Sequence, residues 1–104
     1  MRRKQKYFSM RLSTHEKQTI LNAVKTFDPE ARVYLFGSRV DDSARGGDID
    51  LLIFSQRITL EDKLRIKAMI FQDMEEQKID MIIAQDASEP FVNMALKDSV
   101  ELEW

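Results

Sequence analysis

Apolar positions along the chain alternate between helical and extended spacing. "STHE", Ser13 to Glu16, has the form of a capping box: a serine hydroxyl accepts an early helical N–H and a glutamate three residues on reaches back. Ile20, Ala23, Val24 and Phe27 follow at i, i+3, i+4 and i+7, one apolar face of a helix. "DPE", Asp28 to Glu30, ends it, because the residue before a proline is pushed out of the α region. "RVYLF", Arg32 to Phe36, is rich in β-branched and aromatic residues and predicts a strand. Gly37 breaks that strand, Asp41 to Gly47 is a polar connection, and "DIDLLIF", Asp48 to Phe54, predicts a second strand.

Thr59 opens another predicted helix, with Asp62 at its third position. Leu60, Leu64, Ala68 and Phe71 form its expected apolar stripe, widened by Ile66, Ile70 and Met74. "KIDMIIA", Lys78 to Ala84, predicts a third strand. Ser88 is expected to cap a shorter helix with Pro90 in its first turn, where a missing N–H costs little. The closing "VELEW" alternates Val100, Leu102 and Trp104 and predicts an edge strand. A whole helix lies between strands two and three, so those two are expected to run parallel. The expected fold class is α/β (α+β): a small mixed β-sheet packed with helices, in one domain over residues 1–104, with residues 1–9 a flexible basic tail.

Composition narrows the partners. Of 104 residues, 43% are hydrophobic and 33% charged, enough for a packed core and against disorder. The absence of cysteine excludes disulfides and thiolate metal sites and suits a cytoplasmic protein. "MRRKQKYFSM" is basic but no apolar run follows it, so no secretory signal is expected, and no segment is long enough for a membrane span. Net charge is −2 with no cationic stripe beyond that tail, so polymeric nucleic acid is not the expected partner.

The chemistry is concentrated in acids set among apolar residues. Side chains alternate along a strand, so Asp48 and Asp50 share one face while Ile49, Leu51 and Ile53 share the other. Two carboxylates one pleat apart, roughly 7 Å between Cα atoms, repel each other unless a cation lies between them. Mg²⁺ is held by one or two carboxylates together with phosphate oxygens. Asp80, between Ile79 and Met81, repeats the device once. Three such acids on neighbouring strands would hold two metals about 3.5–4 Å apart, the arrangement for in-line phosphoryl displacement. Gly37-Ser38, directly after a strand, lets backbone N–H groups approach a phosphate.

"FGSR", then "GGDIDLLI", then "KIDMII" together resemble the nucleotidyltransferases of the DNA polymerase β-like superfamily. The likeness runs from the first helix to the last. The small size is similar to the minimal nucleotidyltransferase group, many of whose members are antitoxins encoded beside a HEPN-domain RNase toxin. That resemblance implies a nucleotidyltransferase fold, ATP with two Mg²⁺ ions, and transfer of AMP to a hydroxyl, which in antitoxin members is a tyrosine of the toxin. It implies that Gly37 and Ser38 hold the β- and γ-phosphates; Arg39, next to them, is a further candidate for phosphate contact, with a solvated loop arginine as the alternative. Asp48 and Asp50 would ligate both metals; Asp80 would ligate the catalytic one and help to deprotonate the acceptor. The chain departs from many members in having Gly47, not serine, before the first acid. A homo- or hetero-oligomer is compatible with the same group.

Two alternatives stand beside this reading. One is a non-catalytic module that blocks its partner sterically. The other is nucleotide transfer to a small-molecule hydroxyl, for which 104 residues leave little material for a second substrate wall. His15 has no second ligand at metal spacing and is expected to be exposed and inert; the methionines are expected in the core. Arg45 is read as a solvated loop arginine and Lys78 as half of a surface ion pair, and no GxxxxGK[ST] or GxGxxG motif occurs.

Overall fold

A computed structural model describes residues 12–37, 49–74 and 79–104. Their elements are α1 (Thr14–Phe27), β1 (Arg32–Phe36), β2 (Ile49–Phe54), α2 (Leu60–Asp73), β3 (Ile79–Ala84), α3 (Pro90–Lys97) and β4 (Val100–Leu102). The expected tail 1–9 and the starts of the second and third predicted strands, Asp48 and Lys78, lie outside the described residues.

Both long helices begin as their sequences dictate. Ser13 Oγ accepts the Glu16 N–H at 3.0 Å and Glu16 Oε1 accepts the Ser13 N–H at 3.0 Å. Thr59 and Asp62 make the same reciprocal pair, each bond at 3.1 Å. Such a box satisfies two of the N–H groups that a helix start leaves open. The third helix departs from expectation. Its cap position is Glu89, with no side-chain bond, while the Ser88 N–H turns back to Asp86 Oδ1 at 2.9 Å. Proline at the first helical position fixes the entry instead.

The strands form one mixed sheet in the order β3-β2-β1-β4. β1 pairs antiparallel with β2 and with β4, and β2 pairs parallel with β3 as expected. On one face, Val33, Leu35, Ile49, Leu51, Ile53, Ile79 and Met81 pack against Ile20, Leu21 and Val24 of α1 and Ile66 and Ile70 of α2. On the other, Leu52 packs with Val92 and Ala95 of α3, bordered by Tyr34, Phe36, Phe54 and Ile82. The second cluster is the smaller, so α3 covers only part of its face. β4 takes the predicted edge, but Trp104 lies beyond it and is exposed.

Three further expectations are corrected. In α2, Leu60, Leu64 and Ala68 face solvent, and Ile66, Ile70 and Met74 make the buried stripe. Met94 of α3 is exposed, not core. His15 is exposed but not idle: its Nε2 lies 2.9 Å from the Asp73 carbonyl, the geometry of a donated bond that ties the start of α1 to the end of α2.

One polar cluster is buried at the sheet end where β1 begins and β2 finishes. Ser55 donates to Asp28 Oδ2 at 2.6 Å, and the hydroxyl accepts the N–H groups of Arg57 and Ile58, each at 3.0 Å. Asp28 Oδ1 accepts the Glu30 N–H at 3.0 Å. Both residues are almost fully buried, so each bond replaces water that cannot enter. Nearby, Arg32 bridges to Glu101 through two 3.0 Å bonds and lies 5.8 Å above the Tyr34 ring, which meets Phe54 edge-on at 5.6 Å. Burial, then the charge of Glu101, pushes the Tyr34 hydroxyl above its ordinary range.

Asp28→Ala leaves the Ser55 hydroxyl without its acceptor and is expected to lower unfolding free energy by about 2–3 kcal/mol. Urea titration measures it, and a change under about 0.5 kcal/mol contradicts the assignment. Because folding raises the Tyr34 pKa, its stabilisation is intact below about pH 10 and is lost as pH rises through the folded value. Tyr34→Phe should therefore flatten the alkaline decline in melting temperature. An unchanged decline rejects this cause.

Candidate active site

Parallel pairing brings two of the sequence-predicted acids together. The register sets Ile49 against Ile79, Asp50 against Asp80 and Leu51 against Met81. Residues in one row of a sheet stand on the same face, with neighbouring strands about 4.8 Å apart. Asp50 and Asp80 therefore share the face that α3 partly covers, opposite the main core. Asp50 is half-buried and Asp80 exposed, at the N-terminal ends of their strands. On the other side of Asp50 the row continues to Phe36 of β1, which is half-buried on the same face.

Gly37 follows directly, with φ of +81°. That left-handed conformation is one L side chains rarely adopt. A Cβ at this position would also collide with Oδ2 of Asp50. Glycine thus serves two ends here: the chain turns sharply out of β1, and the Asp50 carboxylate rests against bare backbone. The sequence suggested Gly37 only for its approach to phosphate. Its packing on Asp50 was missed, since it depends on the antiparallel register of β1 and β2.

Phe36 was likewise read only as a strand residue. The closing turn of α3 was read only as part of a short helix. That helix leaves the far end of β3, and the chain re-enters the sheet at Val100, opposite Leu35. Val100 thus stands one row along the sheet from Asp50, but on β4, with β1 between it and β2. The Ser99 hydroxyl closes that turn on the Leu96 carbonyl at 2.7 Å.

Asp48, Ser38 and Arg39 lie outside the described residues, as do Arg45 and Gly47. Among the described residues, no group of three or more His, Cys, Asp or Glu side chains is close enough to hold an ion. The pair that is described has the right chemistry for a hard cation. Both members are carboxylates in one row, one open to solvent, and Mg²⁺ needs only one or two protein carboxylates when phosphate oxygens complete its shell.

Gly37→Ala should displace the Asp50 carboxylate and strain the backbone, costing about 1–3 kcal/mol of stability. Urea unfolding checks this; a variant as stable as the parent rejects the close packing.

Comparison with known families finds one match. The sequence model described as "Polymerase beta, Nucleotidyltransferase" matches residues 18–102, from within α1 to the last residue of β4. No curated protein matches the chain at a significant level. The matched span contains the Gly37 turn, the strand carrying Asp50 and the strand carrying Asp80. With most of its length covered, the chain belongs to the polymerase β nucleotidyltransferase family.

Proposed function

We propose that this nucleotidyltransferase moves AMP from ATP to a protein hydroxyl, a tyrosine of a HEPN-domain toxin, and so acts as the antitoxin of a pair. The observation that carries the chemistry is the register that sets Asp50 beside Asp80. The exposed apolar ridge of α2 favours a protein acceptor over a small molecule.

In this reading Asp50 and Asp80, with Asp48, hold two Mg²⁺ ions, while Gly37, Ser38 and Arg39 receive the triphosphate. Bound Mg²⁺ supplies positive charge that offsets the triphosphate and eases ionisation of the acceptor. Gly37 presents backbone at a sharp turn, so phosphate oxygens can approach N–H groups without meeting a side chain. Asp50, seated on Gly37, is a fixed ligand rather than a swinging one. Asp80, open to solvent, is the carboxylate that can accept the acceptor's proton. The acceptor oxygen forms a bond to the α-phosphorus as the bond from that phosphorus to the bridging oxygen breaks, and pyrophosphate leaves with the electron pair.

The test incubates the chain with α-labelled ATP, Mg²⁺ and the product of the adjacent open reading frame. Label is expected on a partner tyrosine and is expected to fall at least 100-fold with Asp50→Asn or Asp80→Asn. An unlabelled partner, beside a working control transferase, rejects the reading. A partner neutralised equally well by the Asp50→Asn protein points to steric inhibition instead. Asp80→Asn should meanwhile leave unfolding free energy in chelator within about 0.5 kcal/mol of wild type, or raise it, since a like charge is removed. A clear loss of stability contradicts crowding of the two acids.

A further inference from the structure

A sheet in the order β3-β2-β1-β4 has two outer strands, and each presents backbone N–H and C=O groups that a further strand can pair with. β4 is only three residues long and carries Glu101, with Glu103 just beyond it. In a two-fold pairing of β4 with a second copy centred on Glu101, that residue faces its own symmetry mate. Centred on Leu102, it faces Glu103. Like charges directly opposite each other destabilise a strand pair, so length and charge both protect this edge.

β3 has neither protection. It is six residues long, Ile79–Ala84, and apolar apart from Asp80, the composition of a segment that pairs readily with its own kind. Successive residues of a strand send their N–H and C=O groups to alternate sides. The Ala84 carbonyl accepts the Ser55 N–H at 3.0 Å, so Ala84 is directed toward β2. Asp80 and Ile82 share that direction, and Ile79, Met81 and Ile83 point outward. An antiparallel two-fold pairing centred on Met81 would set outward residues opposite one another, Met81 on Met81 and Ile79 on Ile83. Asp80 would then face Ile82 of the second copy, so no like charges oppose this register.

One contact opposes it. Lys63 of α2 is half-buried, and its Nζ donates to the Met81 carbonyl at 3.1 Å. That bond agrees with the outward direction of Met81 and occupies the acceptor at the centre of the register. Among the described residues, no other hydrogen bond reaches an outward backbone group of Ile79, Met81 or Ile83. Nor does a carboxylate pair with Lys63 there. A strand arriving at this edge must expel the ammonium from Met81 or enclose it. An ammonium has donors only, so it cannot satisfy the arriving N–H groups, and enclosing it without an anion is unfavourable.

We infer that Lys63 guards the outer edge of β3 and keeps this chain from pairing with a second copy through that strand. The excluded partner is a second copy because the register centred on Met81 is self-complementary, in its backbone groups and in its side chains. The inference uses only the strand edge and does not depend on the proposed transfer reaction. It bears on the candidate site in one respect: a paired copy would bring its Ile82 against Asp80, and the guard leaves that carboxylate open.

Sedimentation of wild type, Lys63→Met, Lys63→Ala and Lys63→Arg over a range of concentrations tests this, with urea unfolding at the lowest concentration to show that each is folded. Both neutral variants are expected to self-associate about 10-fold or more tightly than wild type. In the associated state, amide exchange at Ile79, Met81 and Ile83 should slow. Lys63→Arg keeps a cationic donor and should behave as wild type. Neutral variants that stay as monomeric as wild type overturn the assignment. So does association that leaves those three amides exchanging as in the monomer, because the contact then lies elsewhere. A wild type that already pairs through them overturns it as well.

Discussion

The parallel register between β2 and β3 constrains the core and the candidate site at once. Ile49 on Ile79, Leu51 on Met81 and Ile53 on Ile83 turn one face of the sheet toward α1 and α2. The same alignment puts Asp50 beside Asp80 on the opposite face. A slip of one residue would carry an acid into the apolar layer, because strand side chains alternate with a period of two. Burying an unpaired carboxylate there costs several kcal/mol. Packing of ordinary aliphatic residues thus holds two carboxylates together that would otherwise repel.

The rest of the fold decides how open that pair is. α1 and α2 close one face of the sheet, but α3 covers only the patch around Leu52. The first row of the second face, Asp80, Asp50 and Phe36, lies toward the end where α3 finishes. Gly37 leaves β1 with positive φ beside that row, so the bend that ends the strand also makes room for the Asp50 carboxylate. At the far end of the sheet the buried Asp28–Ser55 pair secures the turn before β1 and the turn after β2. Opposite ends of the sheet therefore use aspartate differently: Asp28 is sealed in hydrogen bonds at one, and Asp80 is exposed at the other.

Much of this was legible in the residues, because the strong signals are local. Capping boxes at Ser13 and Thr59, the proline after Asp28, and acids among β-branched residues each carry their physical cause within a few positions. Parallel pairing followed from a helix-length connection. The α2 stripe was misassigned because a period finds apolar residues on one side of a helix but does not say which side is covered. α2 has two such sides, and the branched Ile66 and Ile70 took the inner one. Contact of Gly37 with Asp50 was hidden for another reason: it joins residues brought together only by the register of β1 on β2. Family membership was readable in the Gly-Ser, Asp-x-Asp and lone-Asp pattern, although Ser38, Arg39 and Asp48 lie outside the described residues.

The account turns on Asp50 and Asp80 acting as one cation site. Calorimetric titration of Mn²⁺ in the presence of a non-hydrolysable ATP analogue, into wild type, Asp50→Asn, Asp80→Asn and the double variant, tests this most directly. Shared ligation predicts that either single change weakens binding at least 10-fold and that the double change adds little more, because residues serving one ion are non-additive. Binding that survives both single changes at wild-type strength, or losses that simply sum, would contradict it.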